Sequence, residues 1–158
     1  MYRVSYSPCN DYEYINVRTA LEDSLIRVTD FTWLCEGMTV AVKVNLILGA
    51  NPRKAATTHP TVICALCDIL SEKGAKVIVG DSPGGLYTAA WVEKIYSICG
   101  LKEVEAHGAE LNHDFSEAHI TDDNLKLCRD FDCTAYLTKA DAIIDQVMGD
   151  ATSGVPLP

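Results

Sequence analysis

The chain has 158 residues, 48% of them apolar and 22% charged, and a net charge of −9. That length suits one domain with a real core. No apolar run approaches the roughly 20 residues that span a bilayer, and the acidic balance argues against a nucleic-acid surface, which needs clustered Lys and Arg.

In chain order, residues 3–7 alternate loosely and predict a short strand. Tyr14, Val17, Leu21, Leu25 and Val28 recur at helical spacing, with Asp11 as candidate N-cap. "EGMTVAVKVNLIL" predicts a strand whose near-continuous Val-rich run is buried on both faces, as in parallel sheets. After a loop of Gly, Asn, Pro, Arg and Lys, "HPTVICALCDILSEKG" predicts the clearest helix. Pro60 suits its first position, Val62, Ile63, Leu66, Ile69 and Leu70 make its stripe, and Gly74 ends it. "AKVIVGD" reads as a second buried strand, "SPGGLYT" as a turn, and "TAAWVEKIYSICG" as a helix stopped by Gly100. A shorter helix in "LKEVEAHG" is expected next, then strands near "AELNHDF", in "NLKLCRDF" and in "ADAIID". Asp114, Glu117, Asp122 and Asp123 predict a solvated acidic loop.

Strands alternating with helices give an α/β fold: a largely parallel twisted sheet with helices on both faces, Rossmann-like and three-layered. Residues 1–145 form the expected single domain and 146–158 an irregular tail. The N-terminus has no signal-peptide apolar region. A cytoplasmic, membrane-free protein with its seven cysteines reduced is therefore expected.

Polar residues fall where strands end or helices begin. In an open α/β sheet ligands bind beyond the carboxyl ends of the strands. Lys43 and Asn45 close one strand, Thr57, Thr58 and His59 lead into the next helix, and Asp81, Ser82, Gly84 and Gly85 follow the second strand. Helix N-termini, hydroxyls and an ammonium suit a small anion, such as a carboxylate or phosphate. His59 is the candidate for proton transfer, Lys43 for charge stabilisation and Asp81 for orienting His59. Asn45, Thr57, Thr58, Ser82, Gly84 and Gly85 are candidate ligand contacts. Each also has a bland reading: His59 or Thr58 as a helix cap, Asp81-Ser82-Pro83-Gly84 as a turn, Lys43 as a snorkelling strand end.

No metal site is expected. Cys64 and Cys67 fall in mid-helix, as small core residues. Cys128 and Cys133 match a zinc pair poorly, and His107, His113 and His119 match no common metal spacing. No cysteine set has ferredoxin spacing, so no iron–sulfur cluster is assigned and any cofactor is left unknown.

"VKVNL", "ATTHP", "GAKVIVGDSPGG" and the later "ADAIID" resemble, in that order, the domain-of-unknown-function 362 (DUF362) family. Val44 stands where that family usually has proline. Family members continue beyond the "ADAIID" strand, and many carry a ferredoxin-like iron–sulfur region, whereas this chain reads "QVMGDATSGVPLP". It is therefore expected to be a shortened member or an N-terminal fragment. The resemblance implies the fold and redox-associated company, but no reaction. Two functions stay open beside each other. One is a module that binds a small anion, with or without catalysis. The other is a non-enzymatic accessory domain or inactive relic, whose exposed sheet edge is covered by a second copy or a partner protein.

Overall fold

The computed structural model describes residues 3–83, 85, 87–124 and 126–146. Gly84 and all but the first residue of the expected tail lie outside them.

Strands β1 (Thr39–Lys43), β2 (Lys76–Gly80), β3 (Ala109–Leu111) and β6 (Ala142–Asp145) form one sheet in the order β3-β2-β1-β6. All its pairs are parallel. β1 is interior, which is why Val40, Ala41 and Val42 have no exposed surface. In register, Val40 lies between Val77 and Ala142, and Val42 between Val79 and Ile144. Strand neighbours in register share a face. That face meets Ile63, Leu66, Cys67 and Leu70 of α2 (Pro60–Ser71) and Val92, Ile95 and Tyr96 of α3 (Ala89–Ile98) in one core.

The expected α/β architecture is present: an all-parallel sheet with helices around it. Pro60 opens α2, and Gly74 and Gly100 sit beyond helix ends with left-handed φ, as the sequence indicated. The expected short helix after Gly100 is the 3-10 stretch Leu101–His107. Helix α1 (Tyr14–Val28) packs against α2. Arg18 forks onto Glu72 at 2.8 and 2.6 Å, and Asp68 accepts from Tyr14 and contacts His107 Nδ1 at 2.7 Å. Asp68 thus ties three elements together.

Four local expectations change. Residues 3–7 form no strand. Glu13, not Asp11, holds the N-cap position of α1, while the Asp11 carboxylate accepts from the Glu13 amide and the Asn16 side chain. The acidic loop contains β4 (Glu117–Thr121), which pairs antiparallel with β5 (Asp130–Thr134). β5 also begins later than "NLKLCRDF" suggests. One face of this ribbon pairs Ala118 with Cys133 and Ile120 with Phe131, and the other carries polar cross-strand pairs. His119 lies opposite Asp132, with Nδ1 2.8 Å from Asp132 and Nε2 2.5 Å from Asp130.

Cys64, Cys67 and Cys99 are buried in the core. Burial pushes the Cys64 thiol up to about 11 and the Cys67 thiol up to about 12. Among the described residues no helix is long and apolar enough to cross a membrane, and no group of three His, Cys, Asp or Glu is placed to hold a metal.

Candidate functional site at the carboxyl edge of the sheet

From β1 the chain steps to β2 and then β3 on one side, and later returns to β6 on the other side of β1. The direction of winding therefore reverses between β1 and β6. In open α/β sheets the crevice beyond such a reversal is where ligands bind. Lys43 and Asp145 close these two strands and are register partners. The Lys43 ammonium lies 3.3 Å from Asp145 Oδ1 and 3.8 Å from Asp81 Oδ1. It keeps 36% of its side-chain surface, against 9% for Asp81 and 51% for Asp145.

Asp81 is a stitch between loops. Its Oδ2 accepts from the Leu46 amide at 2.8 Å and its Oδ1 from the Ser82 amide at 2.9 Å. One carboxylate thus holds the chain leaving β1 against the chain leaving β2. With both oxygens engaged, it orients backbone and Lys43.

A second clamp closes the loop after β1. The Asn45 amide donates to Thr58 Oγ1 at 3.1 Å, and the Thr58 amide donates back to the Asn45 carbonyl at 3.1 Å. Thr57 is 2% exposed, and its hydroxyl has no partner among the described residues.

His59 sits apart from this pair. It is the N-cap of α2, and its Nδ1 accepts from the Thr61 amide at 3.3 Å. Its ring stacks on Tyr12 with centroids 3.7 Å apart. Burial lowers its pKa, while the charge of Glu103 pulls the other way. Pro60 has no N–H, Thr61 is capped by His59, and the Val62 amide donates to the His59 carbonyl at 3.0 Å. The first turn of α2 therefore has its donors occupied by the protein itself. Among the described residues no hydrogen bond or ion pair joins His59 to Lys43 or Asp81.

On the β2 side, Ser82 is exposed and spends its amide on Asp81. Gly85 has φ +102°, and a Cβ there would lie 3.4 Å from Trp91 Nε1. The α3 cap residue Thr88 makes no side-chain capping bond.

Several residues of this edge lie outside the sequence expectation. Asp145 was legible in principle, since it ends "ADAIID" just as Lys43 ends β1. Behind Asp81 lies a polar nest that carries no sequence signal. A Cβ on Gly80 would lie 2.7 Å from Asn112 Cβ and 3.0 Å from Tyr136 Cζ. Tyr96 donates to the Asn112 carbonyl at 3.1 Å, and Tyr87 and Thr134 share a hydrogen bond of 3.0 Å. The Tyr136 hydroxyl is buried, with no partner among the described residues. Burial, followed by the charge of Asp81, raises that phenol far above its usual range.

The chemistry available is one partly exposed ammonium at the winding reversal, fixed by a buried carboxylate and bridged by a half-exposed one. No curated protein and no solved structure matches the chain. Residues 40–146 match a family model, "Domain of unknown function (DUF362)". That span opens at the second residue of β1 and ends one residue past β6, covering all of the parallel sheet but Thr39 and every candidate site residue, and the chain belongs to this family.

Proposed function

We propose that this domain binds a small anionic ligand at the carboxyl edge of its sheet, with Lys43 as the anchoring cation. The observation that carries this reading is Lys43 itself. It stands at the winding reversal, keeps a third of its side-chain surface, and is held by a carboxylate that is almost fully buried. Lys43, Asp81 and Asp145 together sum to one negative charge, so an arriving anion must displace Asp145. That displacement is cheap, because Asp145 is half exposed and surface pairs contribute only about 0.2–1 kcal/mol. Ser82 and Gly85 follow β2 toward the same edge. His59 contributes by closing the helix that borders the loop.

The test is calorimetric titration of phosphate and acetate into the wild type, Lys43→Gln and Asp145→Asn. Lys43→Gln should abolish binding. Asp145→Asn should tighten it by up to about fivefold, the factor that corresponds to the loss of one exposed competitor. Weaker binding in Asp145→Asn would refute the reading, because it would make Asp145 a ligand contact instead of a rival.

A second reading is favoured by one observation. Among the described residues β6 pairs with β1 alone, and its Ile143 is 54% exposed. An edge strand with an exposed apolar residue can be covered by another chain. On this reading the domain is an accessory module, and sedimentation should show a dimer that Ile143→Lys disrupts.

A further inference from the structure

We infer that the ligand of this edge is amphipathic: a small carboxylate carrying a short apolar chain, with its charge on Lys43 and its chain on Ile47 and Leu48. The inference rests on the anion-binding reading and names its ligand class.

The turn after β1 is not one that stability alone would select. The Gly49 amide donates to the Leu46 carbonyl at 2.9 Å, which makes Leu46–Gly49 a tight turn. Ile47 is its first central residue, with φ +46°. A left-handed conformation there is one that glycine fills without strain and a β-branched residue fills rarely. Among the described residues three non-glycine residues have positive φ, and two of them, Ile47 and Ala55, lie in this one loop. Ile47 is nevertheless 50% exposed and Leu48 66% exposed. The position thus carries backbone strain and presents two apolar side chains to water. Strain of this kind persists where the surroundings impose it, and it gathers at ligand clamps.

The surroundings do impose it. Leu46 is fully buried, and its amide is held by the same Asp81 that faces Lys43. At the other end, Gly49 packs so closely on α3 that a Cβ would lie 3.0 Å from Ile95 Cγ1. Both ends of the turn are pinned, so Ile47 and Leu48 are held one and two residues beyond a contact of the anchoring carboxylate. Lys43 and this apolar turn are linked through Asp81, which faces the ammonium and holds the Leu46 amide, and the pair of features is complementary to a carboxylate with a short hydrocarbon tail.

The test is titration of acetate, butanoate, hexanoate, phosphate and hexan-1-ol into the wild type, Leu48→Ser, Ile47→Gly and Lys43→Gln. Ile47→Gly relieves strain and therefore folds. In the wild type, affinity should rise up to about fourfold per added methylene, the factor for full burial of each CH₂. That slope should flatten in Leu48→Ser and Ile47→Gly. Acetate and phosphate binding with no dependence on chain length would overturn the inference and leave the anion-binding reading intact. Hexan-1-ol binding as well as hexanoate, unaffected by Lys43→Gln, would also overturn it, because the tip would then be a general apolar surface. No binding by any anion would refute the underlying reading.

Discussion

Replacing Asp81 with alanine tests whether one carboxylate holds the site together. Asp81 is 7% exposed and accepts two backbone amides, from Leu46 at 2.8 Å and from Ser82 at 2.9 Å. The two amides are not equivalent. Ser82 is exposed, so water replaces the lost acceptor at little net cost. Leu46 is fully buried, so its N–H is stranded at a cost of about 1–3 kcal/mol. The loss of a charged acceptor adds about 1–2 kcal/mol, since hydrogen bonds to ionised groups contribute roughly 1.5–3 kcal/mol. Lys43 adds little, because it is partly exposed and keeps Asp145. The sum is about 3 kcal/mol, a large share of the roughly 5–15 kcal/mol that stabilises a domain. For a chain of this size that lowers Tm by about 6–12 °C. Urea unfolding by tryptophan fluorescence, with Asp123→Ala as an exposed-carboxylate control, measures it. If Asp81→Ala lost less than about 1 kcal/mol relative to that control, the Leu46 amide would have another acceptor, and the argument for a pinned loop would fail.

The close approach at Gly80 predicts that Gly80→Ala costs about 1–3 kcal/mol, read in the same urea experiment, because the added methyl must move Asn112 or Tyr136. Tyr136→Phe should be neutral or stabilising, since it removes a buried hydroxyl that has no partner; a loss above about 1 kcal/mol would reveal a bound water. In native alkylation followed by mass spectrometry, exposed Cys9, Cys35 and Cys128 should react, while Cys64 and Cys67, buried and with their thiol pKa raised by that burial, react only on unfolding. His119 has its pKa raised by its hydrogen bond to Asp132 and the charge of Asp130. A raised folded value stabilises the β4–β5 ribbon fully below the unfolded value of about 6.5 and loses that stabilisation as pH rises through the folded value. Amide exchange in the ribbon, corrected for its intrinsic pH dependence, should therefore quicken above neutrality, and His119→Gln should remove the dependence; a normal or lowered His119 titration by NMR would count against it.

The parallel sheet was legible because its two central strands, β1 and β2, are short Val-rich runs, and α2 because proline, an apolar stripe and glycine agree in "HPTVICALCDILSEKG". β4 was not legible. Its alternation sets Ala118 and Ile120 against Glu117, His119 and Thr121, a weak pattern whose sense depends on a partner strand thirteen residues away at His119–Asp132. The placement of Lys43 and Asp81 on one edge came from chain direction alone, since both close parallel strands. His59 shows the limit of that argument. Chain direction puts it at the correct end of the sheet, but whether its ring faces Lys43 or folds back onto Thr61 and Tyr12 is decided by local capping and by a tyrosine from the N-terminal segment. Tyr136 and Asn112 left no sequence trace because their role depends on a close approach to Gly80.

Lys43 and Asp145 meet across 102 residues of chain, and only through strand register. A slip of one residue between β6 and β1 would turn Ile144 out of the core and carry Asp145 away from the ammonium. The core therefore enforces the site: burial of Ala142 and Ile144 beside Val40 and Val42 fixes where the carboxylate falls. This also sets the order of assembly. Lys43 and Asp81 are brought together by the adjacent β1–α2–β2 unit, whereas Asp145 arrives only when the most distant strand pairs. An anion on Lys43 would occupy the place that Asp145 fills, so ligand and edge strand compete for the same ammonium. If that is how the edge works, saturating acetate should speed amide exchange at Gln146, whose N–H is held by the Lys43 carbonyl at 2.8 Å, without speeding exchange in β2. Unchanged exchange at Gln146 under saturation would mean that Asp145 is not displaced, and the charge argument for an anionic ligand would lose its central step.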